Sequence, residues 1–118
     1  MTRTKFEAQG RIWLSLDGRP LLGKGRAQLL LRIEQTGSIS GAAKSMKMSY
    51  KAAWDAVDAM NNALGSPVVE SATGGARGGG SQLTALGKHL LAEYDALSNR
   101  HQEWLAHSLA GLDLPTGR

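Results

Sequence analysis

The chain contains no cysteine, so no disulfide can staple it in an oxidising compartment and no thiol is available as a nucleophile. It also lacks any apolar run near the roughly 20 residues that span a bilayer, which argues against a membrane protein. The start, Met1-Thr2-Arg3-Thr4-Lys5-Phe6-Glu7, is without the apolar stretch of about 7 to 15 residues that marks a secretory signal, and the cytoplasm is the expected location. His89, His101 and His107 do not stand three or four apart on one helical face, so neither a metal site nor a cofactor is expected. No Ser, His and Asp fall into a recognisable nucleophilic arrangement, and no enzyme activity is expected.

Acidic residues are scarce in the first half. Residues 1 to 51 contain ten Lys or Arg against only Glu7, Asp17 and Glu34, whereas the remainder is net acidic and the whole chain carries +4. A basic half joined to a mildly acidic one favours a polyanionic partner on one side of the molecule. At 118 residues there is room for one domain with a real core and not for two.

The periodicities give a mainly α fold with small β elements. Over residues 11–22, Ile12, Leu14 and Leu16 alternate with Trp13, Ser15 and Asp17, and Asp17-Gly18 is a two-residue hairpin turn. Ala27, Leu30, Leu31 and Glu34 recur at helical intervals between Gly25 and Gln35, with Gly37 placed to end that helix. Ser38 caps a short second helix whose Ile39, Ala42, Ala43 and Met46 form a narrow apolar face. Ser49 caps a third, in which Ala53, Val57, Met60 and Leu64 repeat at three- and four-residue steps. Val68 to Ser71 reads as a strand, the run 73–81 holds five glycines, and Gln82-Leu83 reads as the returning strand. Helix, strand, Gly-rich tip and strand is the outline of a wing.

From Thr84 a helix could continue to about Leu109. Along it, Leu90, Tyr94, Leu97, His101 and Trp104 continue a stripe that starts at Leu83. So long a stripe exceeds what a domain of this size can cover, and part of it is expected to meet a second copy. The expected division is a flexible N-terminus over 1–10, a winged helix-turn-helix over 11–83, a long dimerisation helix over 84–109 and a flexible tail over 110–118.

Two segments carry a resemblance. The run from Thr36 to Asn62, TGSISGAAKSMKMSYKAAWDAVDAMNN, and the run from Ala72 to Thr84, ATGGARGGGSQLT, resemble the N-terminal DNA-binding domain of the ModE family of molybdate-responsive bacterial regulators. The likeness extends from about Trp13 to Trp104. It implies a winged helix-turn-helix, dimeric through its hairpin and long helix, that regulates transcription on palindromic operators. Two departures matter. The sequence stops where the family's oxyanion-binding domains would begin, so molybdate binding is not expected of this chain. Lys47 stands in the turn where the family prefers glycine, and a left-handed non-glycine residue there would cost about 1 kcal/mol.

The third helix is the element that can enter a major groove. Ser49 and the free N–H groups beside it can hold a phosphate, Lys51 can donate to guanine, and Tyr50 can touch a phosphate or a thymine methyl. The plain alternative is a solvated helix face, but two exposed aromatics there would be unusual; Trp54 stays open between groove and core. Lys44 and Lys47 are placed for phosphates, and Arg77 for the minor groove or a phosphate, against the plain reading of incidental surface charge. The Gly-rich run matches neither nucleotide-binding glycine motif. The leading expectation is a sequence-specific regulator bound to double-stranded DNA as a homodimer. Its alternatives are an accessory or nucleoid-type DNA binder of low specificity and a protein-interaction module.

Overall fold

The computed structural model describes residues 5–72 and 80–115. Eight elements follow one another: β1 (Leu14–Leu16), β2 (Arg19–Leu22), α1 (Lys24–Thr36), α2 (Ile39–Ser45), α3 (Tyr50–Leu64), β3 (Val69–Ala72), β4 (Gly80–Leu83) and α4 (Ala85–Ala110). This is the mainly helical, winged helix-turn-helix arrangement expected from the periodicities.

The β1–β2 hairpin turns at Asp17 and Gly18, both with positive φ, as a two-residue turn matched to strand twist requires. The ladder begins only at Leu14, later than the residue-11 start expected, and has a register shift between Leu14 and Ser15. The Ile12 carbonyl instead accepts a hydrogen bond from the Tyr94 hydroxyl at 3.0 Å.

Helix α1 ends at Gly37, whose left-handed N–H donates to the Ile33 carbonyl at 2.8 Å. Its core residues are Ala27, Leu29, Leu30 and Ile33, while Leu31 is exposed, as is Glu34. The buried stripe is thus rotated from the Leu31 and Glu34 side toward Leu29, because the remaining elements pack on that face.

Small residues let the next helices approach closely. Ala42 and Ala43 of α2 are buried against Ala53 and Val57 of α3 within one core, which also contains Leu22, Met60 and Val68. Ser38 and Ser49 cap their helices as expected: Ser38 Oγ accepts from the Gly41 N–H at 2.8 Å and Ser49 Oγ from the Ala52 N–H at 3.0 Å. Between them Lys47 does take the left-handed conformation, with φ 55°.

The wing is anchored at both feet. β3 starts at Val69 rather than Val68, because the Val68 backbone is engaged elsewhere: its N–H donates to Asn61 Oδ1 at 2.8 Å and its carbonyl accepts from the Thr84 N–H at 3.0 Å. β4 is longer than the Gln82-Leu83 expected. It pairs with β3 from Gly80 onward, and the Ser81 N–H reaches the Gly37 carbonyl at 2.8 Å, tying the wing to the α1–α2 turn.

The start of α4 is fixed to the same place. Thr84 Oγ1 accepts from the Gly87 N–H at 3.0 Å and donates to the Pro67 carbonyl at 2.8 Å. Gly87 lies so close to Val68 that a Cβ there would collide with the Val68 carbonyl. From this anchor the 26 residues of α4 extend about 39 Å at 1.5 Å per residue. That length explains a longest molecular dimension of 62 Å and a radius of gyration of 18.4 Å, against about 13 Å for a compact chain of this size.

Candidate nucleic-acid interface

Ser49, Tyr50, Lys51 and Trp54 lie together on the first two turns of α3, and all are exposed. The open question about Trp54 resolves toward solvent: it is 46% exposed and Tyr50 54%, while Ala53, Val57 and Met60 take the core side. The three side chains after Ser49 do not share a single face, however. At about 100° per residue, Tyr50 and Trp54 form one i, i+4 row, and Lys51 and Asp55 form a neighbouring one.

The second row is an ion pair. Lys51 Nζ donates to Asp55 Oδ2 at 2.8 Å, with the two side chains 84% and 60% exposed. The hydrogen bond to Asp55, and then its negative charge, hold the Lys51 ammonium above its ordinary pKa. Lys51 is therefore fully cationic at neutral pH and already has a carboxylate partner.

Lys44, in the last turn of α2, and Lys47, in the turn before α3, are both exposed. The left-handed backbone at Lys47 is where glycine would be expected, so this position puts a cation beside the start of α3 at a conformational cost of about 1 kcal/mol. Arg77 lies outside the described residues.

The residues expected to form a seam on α4 divide into two sets. Tyr94 is buried within its own chain and bound to Ile12, Leu90 packs against the chain's own core, and His101 is half-buried near Gly10. Leu97 and Trp104 remain 40% and 63% exposed. An open groove of about 1110 Å³ runs beside α4, lined by Trp13, Leu31 and Leu91 among others. Trp13, 61% exposed, is a surface feature that received no role from sequence reasoning. Its signal was the hairpin alternation, which set it opposite Ile12 and Leu14.

Among the described residues no charged side chain is buried, no helix is long and apolar enough to cross a membrane, and no group of three His, Asp or Glu is placed to hold a metal ion.

Residues 25–88, more than half the chain, match the family described as bacterial regulatory helix-turn-helix protein, lysR family. The molybdenum transport protein ModE of Azotobacter vinelandii is 44% identical over 117 residues, covering 99% of this chain and 43% of that protein. The molybdenum-pterin-binding protein MopB of Rhodobacter capsulatus is 54% identical over 76 residues, 64% of this chain and 28% of that one. The DNA-binding transcriptional dual regulator ModE of Escherichia coli is 40% identical over 98 residues, 83% of this chain and 37% of that one. The chain spans less than half the length of these curated relatives.

Proposed function

The chain belongs to the lysR family of bacterial regulatory helix-turn-helix proteins, and from that membership we propose that it regulates transcription by binding double-stranded DNA sequence-specifically, as a homodimer on a palindromic operator. It acts in the cytoplasm and catalyses no reaction. The observation that carries this reading is the surface of α3: two large aromatics and a lysine stand exposed on the first two turns of the helix that follows the turn, with Lys44 and Lys47 close by. A major groove about 12 Å wide admits one helix, and these side chains offer it apolar contact and donors. Lys44 and Lys47 supply the sequence-independent attraction to phosphates.

Likeness to relatives named as transcriptional regulators supports the same reading. The second copy would pack on α4, where Leu97 and Trp104 present an apolar face that the described residues leave uncovered.

Selection of bound duplexes from a random pool tests the proposal. A two-fold symmetric motif should emerge, its half-sites about one helical turn apart. Recovery of unrelated sequences at equal affinity would identify an accessory DNA binder instead, and failure to bind any duplex at low salt would leave an interaction module.

A further inference from the structure

The row of α3 that starts at Lys51 has a charge pattern unsuited to phosphates. Lys51, Asp55, Asp58 and Asn62 fall within about 60° of one another around the helix axis, and among them two carboxylates face one ammonium. Asp55 does little for the fold, because it is exposed, its partner is Lys51, and an exposed i, i+4 pair adds little to stability. Against a DNA backbone a carboxylate is repelled wherever it lies. The groups that reward it are donors on base edges, chiefly the N4 amino group of cytosine.

The pair also has a matching shape. Lys51 Nζ and Asp55 Oδ2 are 2.8 Å apart, a donor beside an acceptor. On the major-groove edge of one G·C pair, guanine O6 is an acceptor and cytosine N4 a donor, separated by the length of the hydrogen bond that joins them. Reversing the pair to C·G would set the ammonium against the amino group and the carboxylate against O6.

Resting on the DNA-binding reading above, we propose that Lys51 and Asp55 act as one unit that reads a single G·C pair and its orientation in each half-site, with Asp55 the specificity-determining member. Lys51 donates to guanine O6 while Asp55 accepts from cytosine N4. On any other sequence Asp55 keeps Lys51 from serving as a phosphate contact.

Binding of the full chain to duplexes is measured for wild type, Asp55→Ala and Asp55→Asn, on the selected operator, on the operator with that pair reversed, and on unrelated DNA. Wild type should prefer G·C over C·G by about tenfold or more. Asp55→Ala should bring that ratio near one while tightening binding to unrelated DNA, and should steepen the dependence on log salt by about two for the dimer as each Lys51 takes a phosphate. Asp55→Asn should move the preference at that pair toward A·T, because an amide can accept from adenine N6 and donate to N7. If both variants keep the wild-type ratios, Asp55 is merely a solvated charge and the inference falls, although the DNA-binding reading stands. If wild type binds no duplex at low salt, both fall together.

Discussion

The two halves of α4 belong to different environments although they form one helix. In the first, Gly87 touches Val68, Leu90 and Leu91 pack against the chain's own core, and Tyr94 closes over Ile12. In the second, Leu97 and Trp104 lie in solvent with neighbours only partly buried. The first half is specified by the fold of this chain, whereas among the described residues the core does not cover Leu97 and Trp104 of the second. Large exposed apolar side chains on a projecting helix are the usual mark of a surface that another chain covers.

The sharpest way to break this comparison is at Gly87. Helix propensity alone would make Gly87→Ala stabilising by about 1 kcal/mol. Packing predicts the opposite sign, because the new Cβ would meet a backbone carbonyl that is itself held by the Thr84 N–H. We expect a net loss of about 3 kcal/mol or more, read from urea denaturation, and a gain in stability would show that the anchoring contact is loose.

The distal half should respond in assembly and not in fold. Leu97→Asp with Trp104→Asp places charges on the uncovered face, where burial without partners costs association about 2 kcal/mol or more. If the proposed homodimer forms through this face, light scattering should change from dimer to monomer while the far-ultraviolet dichroism of the domain is retained. An unchanged mass in the double variant would remove this face from the proposed interface. Leu90→Asp is a poorer probe, since Leu90 packs against its own core and its replacement would confound folding with association.

These assignments show what the sequence made legible. Caps at Ser38 and Ser49, and the Asp17-Gly18 turn, were readable because each depends on chemistry within a few residues. The start of α3 and the exposure of Tyr50 and Lys51 followed from the same local rules. Other features depend on contacts distant in the chain. β4 begins inside a glycine run that reads as loop, and it is a strand because β3 pairs with it and the Gly37 carbonyl accepts from Ser81. Periodicity grouped Tyr94 with Leu97 because it detects an apolar stripe but not what covers it. Tyr94 is covered by the Ile12 segment, 82 residues away in sequence. For the same reason Leu29, not Leu31, turned out to face the core.

Tyr94 marks the boundary between the two halves and gives the smallest but most selective effect. Tyr94→Phe keeps the buried ring and removes only the hydroxyl that donates to the Ile12 carbonyl, a loss of about 1 kcal/mol near neutral pH. Burial, with a further contribution from the negative charge of Asp95, raises the Tyr94 pKa above its ordinary value of 10.0. The folded state therefore retains the phenol proton more tightly than the unfolded chain, and stability falls as pH climbs past 10.0 toward the raised folded value. Phenylalanine has no proton to lose, so above pH 10 the stability gap between wild type and Tyr94→Phe should narrow, while titrations common to both proteins cancel in the difference. Urea midpoints at pH 7 and above pH 10 measure it. A gap independent of pH would mean that the hydroxyl is already in contact with water, and that the own-chain half of α4 ends before Tyr94.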